Sequence, residues 1–188
     1  MSRVLSKVDG ATLVDIARKS ISSVFFGTEY VVEDNIKKRF SEPCGIFVTL
    51  KKHGKLRGCV GYARSQRPLY ESVIRAAKSA AFQDTRFLPL AKNEFDKIEV
   101  EVSLLSEPVM ISEEDPNHIL NKIKVGKDGI LIRSNNFSGI FLPQTTSELT
   151  WSSEELLRYA CNKFGLTEMA WQDPDSRLYK FRTQVFSD

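Results

Sequence analysis

Gly58 and Gly61 fall three residues apart in an otherwise strand-like stretch, Leu56-Arg57-Gly58-Cys59-Val60-Gly61. Glycine inside a strand costs stability, so two of them call for a reason. The usual reasons are a bulge, a sharp bend, or close approach by another backbone or a ligand. Ahead of this stretch lie an apolar run, Ile46-Phe47-Val48-Thr49-Leu50, and a basic turn, Lys51-Lys52-His53-Gly54-Lys55. Two extended runs around a short glycine-containing turn predict a β-hairpin.

The flanking segments read as helices alternating with strands. Leu13, Ile16, Ala17, Ile21, Val24 and Phe25 recur at three- and four-residue spacing. They predict a helix from about Gly10 to Phe26, capped by Asp9 and ended by Gly27. The charged segment Glu33 to Arg39 has no assignment. Pro68 opens a second helix to Phe82 at the first-turn position. Its apolar face, Leu69, Val73, Ala76, Ala77 and Ala80 or Ala81, is mostly small and suits close packing on a sheet. A helical turn is expected around Ala91 to Phe95. Ile98 to Leu105 alternates as a strand, with Glu99, Glu101, Ser103 and Leu105 on one face.

Further on, Ser112-Glu113-Glu114-Asp115 begins a short helix and Gly126 to Gly129 makes a turn. Strands are predicted at Ile130 to Arg133 and at Gly139 to Gln144, joined by a turn over Ser134 to Ser138. A helix follows from about Ser153 to Phe164, with Gly165 as its stop, and a last strand runs from Arg177 to Phe186. Hairpins alternating with helices predict an α+β fold, mainly antiparallel sheet with flanking helices.

Charge and cysteine usage narrow the function classes. The net charge is +3, from 27 basic and 24 acidic residues, too balanced to imply a nucleic-acid or membrane partner. Cys44, Cys59 and Cys161 are odd in number and far apart, which fits a reducing cytoplasm rather than a disulfide framework. No apolar run approaches the roughly 20 residues of a membrane span, and the N-terminus lacks a signal-peptide pattern. A zinc set is not expected, because there is no C-x-x-C and no paired histidine. Arg57 to Gly61 lacks the Lys-Ser/Thr of a phosphate loop. Lys51, Lys52, Lys55 and Arg57 read as a solvated hairpin edge that discourages strand aggregation.

On a regular strand Arg57 and Cys59 share a face, roughly 6–7 Å apart. A guanidinium there would favour the thiolate and make Cys59 a candidate nucleophile. The alternative is a small buried thiol beside a structural arginine. His53, at the hairpin tip, lies about 15 Å from Cys59 by strand rise, too far to serve as its base. His118 reads as solvated on a helix. Glu99, Glu101 and Ser103 could meet Arg57 across a sheet as a Glu–Arg–Cys cluster, or form a solvated strand face. Asp84 and Arg86 fix their own turn by a local ion pair, or perform acid–base work. Gln144 is a binding side chain or a loop hydrogen bonder.

Leu56-Arg57-Gly58-Cys59-Val60-Gly61 resembles the Leu-Arg-Gly-Cys-Ile-Gly signature of the AMMECR family, with valine in place of isoleucine. Asp84-Thr85-Arg86-Phe87 resembles that family's Asp-x-Arg-Phe block. Glu101-Val102-Ser103-Leu104-Leu105 resembles its Glu-Val-Ser-x-Leu strand, and Leu142-Pro143-Gln144 its Leu-Pro-Gln segment. The resemblance implies one domain over residues 1–188, an α+β protein with two lobes of unequal size, of archaeal or bacterial type. It supplies no mechanism. It implies either a binding or regulatory role linked to basic information machinery, or a cysteine-dependent enzyme or accessory component acting with Memo-type and radical-SAM proteins. The candidate residues are Cys59, Arg57 and Glu101 for catalysis, and Arg57, Gly58, Cys59, Gly61, Asp84, Arg86 and Gln144 for binding. No metal or cofactor is expected, and the partner is an unspecified protein or small molecule.

Overall fold

The computed structural model describes residues 4–112, 115–134, 137–145 and 150–188. Glu113 and Glu114, the middle of the Ser134–Ser138 turn, and residues 146–149 lie outside them. The chain divides into two compact units. One runs to Leu105 and takes back Gln184–Asp188; the other is Ser106–Thr183. The structure has two antiparallel four-stranded sheets with flanking helices, the expected α+β class.

In the first unit, α1 spans Lys7–Phe25. Its cap is Ser6, not Asp9. Asp9 occupies the third helical position and completes a capping box, each side chain accepting from the other's backbone N–H. Asp9 also pairs with Arg39. The Ser6 hydroxyl and then Arg39 hold its carboxyl down at about 2. The unassigned charged segment is a short helix, α2, Asp34–Arg39, with no buried residue. The hairpin strands are β1, Gly45–Lys52, and β2, Lys55–Tyr62. Their two-residue turn puts both His53 (φ 51°) and Gly54 (φ 71°) in the left-handed region, as a turn matched to strand twist requires. Helix α3, Leu69–Phe82, follows, then a 3-10 turn at Lys92–Lys97 and strand β3, Ile98–Leu105.

The first sheet has the order β2-β1-β3, with the C-terminal strand β8, Thr183–Ser187, beside β3. Ile46, Val48 and Leu50 of β1 pair with Leu104, Val102 and Val100 of β3. They form one apolar face under α1 and α3, together with Leu13, Ile16, Val73 and Ala77. Full burial of each such aliphatic side chain contributes about 1.5–3 kcal/mol. The small face of α3 brings its backbone against β2. A Cβ built on Gly58 would lie 2.1 Å from the Ala80 carbonyl oxygen. The first of the two unexplained glycines is therefore a packing requirement.

In the second unit the sheet order is β4-β7-β5-β6. The strands are β4, Val109–Met110; β5, Gly129–Ser134; β6, Phe137–Phe141; and β7, Ser176–Phe181. Helices α4, Pro116–Asn121, and α5, Ser153–Lys163, complete it. Ile130, Ile132 and Leu178 form its core with Leu156, Leu157 and Trp171. The predicted Gly139–Gln144 strand stops at Phe141. Pro143, which has no N–H to give a ladder, opens a 3-10 turn through Thr145. The predicted last strand is two strands in different sheets. At the break, the Arg182 backbone N–H donates to Ser106 Oγ and Ser106 N–H donates to the Arg182 carbonyl.

Candidate functional site

The strand carrying the signature is not regular. Leu50 is opposite Gly58 but Lys51 is opposite Leu56, so Arg57 is an extra residue in a β-bulge. A bulge resets the alternation of side chains beyond it. Cys59 comes to lie opposite Thr49, whose hydroxyl donates to its Sγ at 3.3 Å. Arg57 is drawn elsewhere. Its Nη2 donates to Glu94 Oε2 at 2.9 Å, and its Nη1 to the Leu88 carbonyl at 3.0 Å. The expected shared face of Arg57 and Cys59 is thereby corrected, and with it the idea that Arg57 activates the thiol.

The Glu–Arg–Cys cluster is corrected as well. The carboxylate that meets Arg57 is Glu94, which also accepts from Lys52 Nζ at 2.7 Å. Arg57, then Lys52, holds Glu94 down at about 2. Glu101 lies beyond Thr49 in a row across three strands, Cys59–Thr49–Glu101. It is buried, accepts from Lys51 Nζ at 2.8 Å, and has the Ser103 hydroxyl 3.4 Å away. Thr49 and Ser103 are also buried. Glu99 is exposed.

Asp84 and Arg86 do pair with each other, at 2.7 Å, but that is half of their arrangement. Strand β2 is an edge of the first sheet. Cys59 presents its backbone N–H and carbonyl outward there. The N–H donates to Asp84 Oδ2 at 2.8 Å, and Arg86 Nη2 donates to the carbonyl at 3.0 Å. The two side chains thus occupy the places a neighbouring strand would fill, one of the ways a sheet edge is protected. Arg86, opposing burial, holds the Asp84 carboxyl down at about 2. Phe87 lies near two guanidiniums, Arg57 at 6.0 Å and Arg86 at 5.6 Å from the ring centre, distances suited to cation–π attraction.

Cys59 itself is half-buried. Burial pushes its thiol above the ordinary range. The Thr49 hydroxyl and Arg86 oppose this, while Asp84 and Glu101 reinforce it. The net effect is a protonated thiol at neutral pH, the opposite of an activated one. His53 is exposed at the hairpin tip and His118 is exposed on α4. Among the described residues no group of three His, Cys, Asp or Glu side chains is placed to hold a metal ion.

Of the sequence-predicted residues, the fold brings Cys59, Asp84 and Arg86 together and places Glu101 two strands away. Gly58 faces α3, and a Cβ on Gly61 would meet the Ile46 carbonyl at 2.1 Å. Gln144 sits on the 3-10 turn of the second unit, where its side-chain carbonyl accepts from Thr183. Thr49 and Glu94 are the residues that sequence reasoning missed. Thr49 could be found only from the shifted register. Glu94 follows Ala91 at capping-box spacing, and its carboxylate accepts from the Ala91 N–H.

Comparison with known proteins agrees with this picture. The AMMECR1 family profile matches residues 14–186. A protein of Methanothermobacter thermautotrophicus is 40% identical over 185 residues, covering 98% of this chain and 96% of that protein. One from Aquifex aeolicus is 36% identical over 186 residues, covering 96% and 93%. The crystal structure of the uncharacterized protein PH0010 from Pyrococcus horikoshii superposes with a TM-score of 0.92 at 36% identity, covering 98% of this chain and 93% of that one. With the family profile covering residues 14–186, relatives 36–40% identical over nearly their whole length, and the fold shared at a TM-score of 0.92, the chain belongs to the AMMECR1 family.

Proposed function

We propose that the chain is a binding or regulatory domain whose contact surface lies beside the Leu56–Gly61 strand, with Cys59 a contact residue and not a nucleophile. The observation that carries this reading is the state of Cys59. Its thiol is kept protonated by burial, and both its backbone polar groups are already tied to Asp84 and Arg86. A nucleophilic cysteine needs a base or a lowered pKa, and neither accompanies Cys59. Two large apolar side chains stand exposed beside Arg57: Leu56, its neighbour on the strand, at 46%, and Leu88, whose carbonyl accepts from it, at 83%. Exposed apolar groups rimmed by charge, here Arg57 and Arg86, are the surface expected of a protein contact. The same reading places the protein in the cytoplasm, where its three free cysteines stay reduced.

The test is a differential capture experiment with wild type, Leu88→Asp and Cys59→Ser. On the binding reading a protein or small molecule is retained by wild type, retained though less tightly by Cys59→Ser, and lost by Leu88→Asp. The reverse pattern, with the partner lost on Cys59→Ser and kept on Leu88→Asp, would favour a cysteine-dependent activity in a modification pathway instead.

A further inference from the structure

The second sheet carries a feature that the Cys59 region does not explain. Its inner face is apolar, with Ile130, Ile132 and Leu178 in the core. Arg133 of β5 and Arg177 of β7 lie on the other face, directly opposite each other. Like charges directly opposed across a sheet are destabilising, and a neighbouring carboxylate normally relieves them. Both arginines are exposed, and neither has a carboxylate partner among the described residues. The registers put Ser138 on the far side of Arg133, so the row Ser138–Arg133–Arg177 spans three strands. One step along β7 on the same face is Tyr179, with the Arg133 guanidinium 5.7 Å from its ring centre. The other strand residues of this face are Met110, Gly129, Leu131, Ile140 and Phe181; none is acidic, and Gly129, Leu131 and Phe181 are buried, so the exposed charged part of the face is its Ser138–Arg133–Arg177 end, with Tyr179 half-buried beside it.

We propose that the exposed arginine end of this face binds single-stranded nucleic acid, with Arg133 and Arg177 holding the phosphodiester backbone and Tyr179 offering the accessible part of its ring to a base. Uncompensated guanidiniums in a row are matched to phosphate oxygens, which they grip through two N–H groups at once. Single-strand binders pair such cationic surfaces with aromatic side chains on which bases stack. A carboxylate-bearing peptide would use the arginines but would leave the aromatic ring without a planar partner. The near-neutral charge of the whole chain does not oppose this, because the relevant charge is local to one end of one sheet face.

The test uses the full chain and a fluorescein-labelled oligouridylate of about 12 nucleotides, followed by anisotropy. Saturable binding is expected, with a log–log salt slope of about −1.4 for two neutralised phosphates. Arg133→Ala and Arg177→Ala should each weaken it about 5-fold or more and flatten the slope, since each removes one phosphate contact. Tyr179→Phe should bind as wild type and Tyr179→Leu about 5-fold less well, the signature of stacking. Lys55→Ala on the hairpin should change nothing. Thermal melts confirm folding of each variant, and Arg133→Lys and Arg177→Lys keep the charge should an alanine variant fail. Absence of saturable binding, equal loss in Lys55→Ala, or insensitivity to both arginine substitutions would overturn the proposal. So would full competition by inorganic phosphate, which would reveal a simple anion site. Equal affinity for a polyglutamate peptide would overturn it in favour of an acidic protein ligand.

Discussion

The backbone N–H of Cys59 donates to Asp84 Oδ2 at 2.8 Å, so an edge strand ends on a side chain and not on water or another chain. Arg86 closes the same residue's carbonyl. Hydrogen bonds to charged groups contribute about 1.5–3 kcal/mol, and the half-exposed Arg86 belongs at or below the low end of that range. Asp84→Asn and Arg86→Ala should each lower stability by about 1–2 kcal/mol. Hydrogen exchange at the Cys59 amide should accelerate in Asp84→Ala, which removes the acceptor altogether, and a purely local turn role would not cause this. Unchanged protection of that amide would refute the clamp.

Gly58 is required by the approach of α3. Gly58→Ala places a methyl group against the Ala80 carbonyl oxygen, where the nearest atom is backbone and cannot rotate away. Overpacking of this kind costs about 1–3 kcal/mol or more. Urea titration should show the midpoint falling at constant slope. A neutral substitution would mean that the helix stands farther from the strand than described.

Thiol reactivity separates the two functional readings without knowledge of a ligand. Iodoacetamide should label Cys59 more slowly at neutral pH than it labels a free cysteine peptide, with the rate rising only at alkaline pH. Thr49→Val removes the hydroxyl that lowers the thiol, so labelling should slow further. Peptide-resolved mass spectrometry distinguishes Cys59 from Cys44 and Cys161. Faster labelling than the free peptide would contradict the protonated thiol.

Acid should unfold the first unit through three carboxylates, Asp9, Asp84 and Glu94, each held at about 2 in the folded state by its own arginine or serine partners. Their unfolded values are near 4. A depressed carboxylate contributes stability that is complete above the unfolded value and is lost as pH falls through the folded one. Stability measured by urea midpoint should therefore hold down to about pH 5 and decline steeply between about pH 4.5 and 2. Asp84→Asn should flatten that decline. An acid profile identical to wild type would remove Asp84 from the set.

Charge reversal at the second sheet should stabilise it. Arg177→Glu converts an opposed like-charge pair into an ion pair, worth about 0.2–1 kcal/mol, or a melting temperature higher by up to about 4 °C. A lower melting temperature would show that Arg177 already has a stabilising partner.

The hairpin, the helices and the long β3 strand were legible because apolar spacing and turn residues are local signals. The Arg57 bulge was not. A two-residue turn at His53-Gly54, counted back evenly, sets Gly58 opposite Thr49; one inserted residue sets Cys59 there instead. That single step moved the arginine from the thiol to Glu94. The Asp84–Arg86 pair was readable as a turn motif. Its grip on Cys59 was not, because it depends on where α3 delivers the chain. The opposed Arg133 and Arg177 are 44 positions apart, and only the register of β5 with β7 reveals them.

The first sheet is closed by a strand made last. Leu5 exchanges two hydrogen bonds with the Gln184 side chain, and β8 lies beside β3. During synthesis β3 therefore emerges with one bare edge and waits for the whole of Ser106–Thr183 to follow. At about 5–20 residues per second the wait is on the order of ten seconds. Over that interval the opposite edge, at β2, has Asp84 and Arg86 to hold the backbone groups of Cys59 at its middle. The nascent chain is thus better protected against intermolecular pairing at the middle of β2 than along the bare edge of β3.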